Sequence, residues 1–145
     1  MKNSNKKGFT LVELVVVIAI IGVLAAILVP SMMGYVKKSR LKTANGNAKT
    51  AYNAVAEYLA DLETQGLIGD ADVDEAKSVA EAELSTNGKG SGEVFVAFED
   101  MEAANPKFGC QWRRGGSDEI VGQYPNAAQK VADCPAWGTI DMSND

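Results

Sequence analysis

The sequence predicts an α+β fold: a long N-terminal helix, transmembrane in its first half and amphipathic in its second, packed on a small antiparallel sheet with a disulfide-closed C-terminal loop. Three observations lead there. Residues 9–29, FTLVELVVVIAIIGVLAAILV, are interrupted only by Thr10 and Glu13. Past Pro30, apolar residues recur at three- and four-residue steps, the period of one helix face. The last third then changes to short runs of branched and aromatic residues, a Gly115-Gly116 pair and two cysteines.

Residues 1–8, MKNSNKKG, are short, polar and cationic and read as a processed leader. Residues 9–30 form the membrane helix: about 21 residues at 1.5 Å each span roughly 30 Å, the thickness of a bilayer's hydrocarbon core. Lysines flank the span on both sides, so the positive-inside rule leaves its orientation open. The cysteine pair, Cys110 and Cys134, suits an exported domain and places the C-terminal body outside.

Residues 31–145 form that body, and residues 31–64 continue the helix into it. Leu41, Ala44, Ala48, Tyr52, Val55, Leu59 and Leu62 make one apolar stripe, with Lys37, Lys42, Lys49, Glu57 and Asp61 on the opposite face. Gly66 and Gly69 stop the helix. A second helix over 72–84 opens on Asp72 and Glu75, spaced as a capping box, and places Val73, Ala76, Ala80 and Leu84 on one side. The stretch TNGKGSG, 86–92, is a connector; strands follow at Glu93–Glu99, Lys107–Arg113 and 119–124, the last two forming a hairpin. The tail from Pro125 has turn chemistry but no periodicity, so its order is expected to rest on the Cys110–Cys134 bond. Closing a loop of about 25 residues is worth roughly 3–4 kcal/mol on chain-entropy reasoning.

Composition narrows the function. The 145 residues carry 14 Lys+Arg against 19 Asp+Glu and no histidine. Imidazole bases, His-activated nucleophiles and His-containing zinc sites are therefore excluded, and two cysteines cannot close a tetrahedral zinc centre. The expectation is a protein that is not an enzyme, with no metal and no cofactor. The net charge of −5 divides into +7 over residues 1–50 and −12 over residues 51–145. Such an acidic body argues against nucleic acid as a partner.

Smaller constellations weigh less. Asp70, Asp72, Asp74 and Glu81 have some of the spacing of a calcium loop, but Glu75 stands where the sharp-turn glycine belongs, and an acidic helix start explains them. Gly88-Lys89-Gly90 lacks the remaining elements of a phosphate loop. Phe108, Trp112, Tyr124 and Trp137 form either an exposed aromatic patch or part of the core. Lys37, Lys38, Arg40 and Lys42 suit anionic headgroups or, alternatively, acidic surfaces of neighbouring copies.

The string KKGFTLVELVVVIAIIGVLAAILVP, residues 6–30, resembles the N-terminus of type IV pilins and pseudopilins. The resemblance covers about the first 60 residues; the remainder shares only the general plan of a long helix, a small sheet and a cysteine-closed tail. It implies that a prepilin peptidase/methylase cuts after Gly8 and methylates the amine of Phe9, which becomes the new N-terminus. It further implies that Glu13 pairs with the Phe9 amine of a neighbouring subunit, setting its register. A carboxylate in lipid costs a few kcal/mol, and two unit charges 4 Å apart regain about 4 kcal/mol at an effective dielectric of 20. Gly22 and Pro30 bound the stretch expected to kink or melt.

The implied protein is a structural subunit of a type IV pilus, held in the cytoplasmic membrane as a single-pass precursor and polymerised through its apolar helix into an extracellular homo-oligomeric filament. Assembly machinery with a separate ATPase would drive that step, with membrane lipid as the partner before assembly. The alternative within the same resemblance is a pseudopilin of a type II secretion or DNA-uptake apparatus. Two remoter readings are a signal-anchored binding protein, against which Glu13 argues, and a secreted protein cut after the apolar run, where residues 25–33 offer no convincing cleavage site.

Overall fold

A computed structural model of the chain describes residues 7–86, 92–101 and 107–143. Most of the leader and the Gly88-Lys89-Gly90 loop lie outside the described residues. The chain divides into two compact units, Met1–Val36 and Lys37–Asp145. Helix α1, Leu11–Thr64, contributes to both; it is followed by α2 at Val73–Thr86 and strands β1 at Glu93–Glu99, β2 at Lys107–Arg113 and β3 at Gly122–Tyr124.

In the first unit α1 starts on a reciprocal cap. The Glu13 amide donates to Thr10 Oγ1 at 3.2 Å, and the Thr10 amide donates to a Glu13 carboxylate oxygen at 3.1 Å. This Thr-x-x-Glu box satisfies two of the donors that a helix start leaves orphaned. The helix then runs through Gly22 and Pro30 without interruption. Pro30 has no N–H to donate, yet the Ser31 hydroxyl bonds the Leu28 carbonyl at 2.8 Å in the same turn.

The second unit holds the core. Leu41, Ala44, Ala48, Ala51, Val55 and Leu59 of α1 are buried against Ala76, Ala80 and Leu84 of α2 and Val94, Val96, Cys110, Trp112 and Ile120 of the sheet region. The predicted stripe is present, with Tyr52 half-buried and stacked on Phe108 at 4.2 Å between ring centres, and with Leu62 only half-buried. Asn47, Ala51 and Ala54 join the buried set, which widens the stripe. Lys37, expected on the opposite face, instead lines a recess with Arg40, Asp118 and Val131. Its position along the helix places it on the side of Leu41 and Ala44, where the body ends.

Gly66 ends α1 as expected. It adopts φ +73°, its amide bonds the Glu63 carbonyl at 3.0 Å, and the Leu67 amide reaches back to the Leu62 carbonyl at 2.8 Å. That pair of bonds is a Schellman closure, which needs a left-handed residue at this place. Helix α2 opens with the Glu75 amide on Asp72 Oδ1 at 2.9 Å. The return half of the box passes through Tyr58 of α1: the Asp72 amide donates to its hydroxyl at 3.3 Å, and the hydroxyl donates to Glu75 Oε2 at 3.0 Å. A cap that is local in sequence thus also fastens α2 to α1.

The sheet has order β1-β2-β3, antiparallel throughout. Val96 faces Cys110 across β1–β2, and Gln111 faces Gln123 across β2–β3. The third strand is shorter than 119–124, because Ile120 and Val121 are drawn into the interior and Asp118 turns the chain by accepting the Ile120 amide at 3.1 Å. Gly122 explains how close β3 comes to α1: a Cβ there would lie 2.0 Å from the Ala44 carbonyl oxygen.

The Cys110–Cys134 bond is not formed; both thiols are free. Loop length and compartment address entropy and redox, whereas bonding also depends on side-chain direction. Cys110 points from β2 into the core, where burial pushes its thiol pKa up to about 12, and Cys134 is half-buried at the end of a 3-10 turn. The tail is held by two buried glutamines. Gln111 Nε2 donates to the carbonyls of Ala136 at 3.1 Å and Thr139 at 2.7 Å and to Gln123 Oε1 at 3.0 Å, while Gln111 Oε1 accepts the Gly138 amide at 2.8 Å. Gln123 Nε2 donates to the carbonyls of Pro125 and Asn126.

Candidate functional site

The residues singled out at the N-terminus lie together at the start of α1. Residues 7–10 are non-helical and exposed, and α1 begins directly after them. The Gly8–Phe9 bond is thus in open backbone at a helix entrance. A side chain at Gly8 would meet nothing within 4 Å, so the fold of the chain itself does not require glycine there. Phe9 is 89% exposed.

Glu13 sits in the first turn of α1, where a carboxylate is favoured by the exposed N–H groups and the positive end of the helix dipole. Its bond to the Thr10 amide points the carboxylate back toward the chain start. The capping-box spacing of Thr10 and Glu13 is a role of this acid beyond those expected from the sequence, and its signal is local. Behind it, the side chains from Leu11 to Val36 are all exposed in the single chain, including Ile18, Ile20, Leu24 and Leu28. The helix is long and apolar enough to cross a membrane. Gly22 also has nothing within 4 Å of an added Cβ.

In the body, the basic residues after the apolar segment separate. Arg40 Nη2 meets Asp118 Oδ2 at 2.6 Å, whereas Lys37, Lys38 and Lys42 have no ion-pair partner among the described residues. The four aromatic residues near the tail belong mainly to the interior. Phe108 and Tyr124 both pack on Tyr52, Trp112 is 8% exposed, and Trp137 lies under the Arg113 guanidinium at 4.1 Å from its ring centre. Among the described residues no three His, Cys, Asp or Glu side chains converge as a metal site, and Asp70, Asp72 and Asp74 do not form one.

Comparison with known proteins bears on the N-terminal segment. Residues 3–29 match the family described as the prokaryotic N-terminal methylation motif. The chain is 48% identical over 61 residues to the fimbrial protein EcpC of Eikenella corrodens, covering 42% of this chain and 40% of that one. It is 39% identical over 59 residues to the type IV major pilin protein PilA of Myxococcus xanthus, covering 41% and 27%. Its N-terminal region is similar to that of type IV pilins. The type IV major alpha-pilin of Moraxella bovis gives 44% identity over 59 residues, covering 41% of this chain and 37% of that pilin. The matched stretch therefore spans at most about two fifths of these relatives' length. No solved structure matches the chain.

Gly8, Phe9, Glu13 and Gly22 lie inside the matched motif, and Pro30 follows directly after it. Not legible in the sequence were the groups that organise the body: the Arg40–Asp118 pair and the Gln111–Gln123 pair. The first spans 78 positions and the second 12, and neither leaves a periodic trace in sequence.

Proposed function

We propose that this protein is a non-enzymatic structural subunit of a type IV pilus. The observation that carries the reading is an exposed apolar helical segment, Leu11 to Val36, that bears one acid in its first turn and follows Gly8 and Phe9 in open backbone. An apolar surface of this kind suits two solvents in turn, the bilayer before assembly and a bundle of identical helices afterwards. The curated relatives, named as fimbrial proteins and major pilins, favour a surface pilus over a secretion-type pseudopilus.

Prepilin peptidase would cut after Gly8 and methylate Phe9. Glycine is not demanded by the fold at that position, so its role is assigned to passage of the backbone through a protease site. Cleavage removes Lys2, Lys6 and Lys7, taking the net charge from −5 to −8. The Glu13 carboxylate, already directed toward the chain start, would receive the Phe9 amine of an incoming neighbour. Gly22 and Pro30 would allow the helix to loosen once packed in the fibre. The precursor resides in the cytoplasmic membrane, and separate machinery with its own ATPase extracts it to the cell surface.

Intact mass and N-terminal sequencing of protein recovered from cells test the processing step, with methylated Phe9 expected. A start at Met1 would refute it. Electron microscopy of shed filaments tests the product, and Glu13→Val is expected to abolish filaments while leaving cleavage intact.

A further inference from the structure

The exposed side of α1 within the body has its charges segregated along the helix. Lys38 and Lys42 stand four residues apart and are exposed without an ion-pair partner among the described residues. Glu57 and Asp61, also four residues apart, are exposed further along, and neither carboxylate has an ion-pair partner among the described residues. Like charges at this spacing face each other on one helix surface and repel, so each row is unfavourable in the lone chain. The nearby Lys49 is instead engaged over the Tyr124 ring at 5.5 Å.

The two rows have matching spacing. Lys38 to Glu57 and Lys42 to Asp61 are the same number of residues apart, equivalent to about 28 Å along a helix axis. A second parallel copy displaced by that amount therefore brings both lysines level with both carboxylates at once. Around the helix the rows lie about 100° apart. The copies are then related by a screw rotation with translation, the head-to-tail relation that builds open filaments.

Resting on the pilus-subunit reading, we propose that Lys38 and Lys42 of one subunit pair with Glu57 and Asp61 of a second copy displaced by about 28 Å along the fibre. This contact supplies an electrostatic register within the body, separate from Glu13. It sets two ion pairs level at once, whereas an unstaggered parallel copy places like charges side by side.

The test uses full-length protein in its own cells, with cleavage after Gly8 and accumulation in the membrane as controls for folding. Filaments are counted by electron microscopy for wild type, a lysine-row reversal (K38E with K42E), an acid-row reversal (E57K with D61K) and the fourfold exchange. Each single-row reversal is expected to lower filament number about tenfold or more, and the exchange to restore it. Loss in the lysine-row reversal without rescue by the exchange, with cleavage and membrane accumulation intact, overturns the proposal. Filament numbers unaffected by either reversal overturn it as well. Wild-type cells that make no filaments would refute the pilus reading itself, a distinct result.

Discussion

The two halves of α1 treat apolar side chains in opposite ways. From Leu11 to Val36 the helix presents large aliphatic residues, all exposed, whereas from Leu41 to Leu59 it buries a stripe that is mostly alanine. Side-chain size therefore does not decide what is buried within this chain. At Ala44 β3 comes up against the helix backbone, an approach that the missing side chain of Gly122 permits. The first half has no such partner in its own chain, and its bulky aliphatic surface suits lipid or identical helices. One continuous helix thus carries an exposed apolar segment followed by a face buried in the core of the body.

That contrast can be broken most sharply at Gly122. Replacing it with valine forces branched carbons into the Ala44–Asn45 backbone, which cannot yield like a flexible side chain. The expected loss of stability is about 3 kcal/mol or more, visible as a large fall in the melting temperature of the body. A variant that melts like wild type would show that β3 can move off the helix at little cost.

Gln111→Ala comes next. It removes four hydrogen bonds that hold Ala136, Gly138, Thr139 and Gln123, and it leaves buried partners unsatisfied. A destabilisation of about 2–3 kcal/mol is expected, with amide exchange accelerating first at Gly138. If exchange in the tail were unchanged, its order would have to come from elsewhere.

The thiols give a smaller, condition-dependent effect. Burial raises the Cys110 pKa from 9.0 to about 12, so the folded state favours the neutral thiol. The associated stability is complete below pH 9, declines as the unfolded chain begins to ionise above it, and is lost as pH rises through about 12. Native protein at neutral pH is expected to take one alkyl adduct, at half-exposed Cys134, and a second at Cys110 only on unfolding. Recovery of protein that takes no adduct before reduction would show the two sulfurs bonded.

The smallest expected effect sharpens the comparison from the other side. Ile18→Ala removes an aliphatic side chain that is 59% exposed, so the melting temperature of the body is expected to stay within error. A core position such as Val55, fully buried, would lose about 2–3 kcal/mol on the same change. A marked fall for Ile18→Ala would place that residue in the folding unit of the body.

Legibility in the sequence followed the range of the interaction. The extent of the apolar helix, the Schellman glycine at Gly66, the Asp72 cap and strands β1 and β2 rest on neighbours within a few residues, and each leaves a periodic or punctuated trace. The Thr10–Glu13 box is equally local, and its Thr-x-x-Glu spacing is legible at the edge of the apolar run. Strand β3 was read too long, since the same branched residues, Ile120 and Val121, serve a strand or a buried turn. The cysteine pair misled because two facts about it were local and the deciding one was not.

Sequence alone determined the apolar helix with its lone acid, the junction before Phe9, the charge division and the α+β plan, because these depend on residue type and spacing along one chain. The tertiary structure decided that Gly122 meets Ala44, that Arg40 finds Asp118, that Tyr58 completes the α2 cap and that glutamines hold the tail with the thiols free. Those contacts join positions far apart in the chain, and their energies depend on direction and distance in space, which composition and period do not encode.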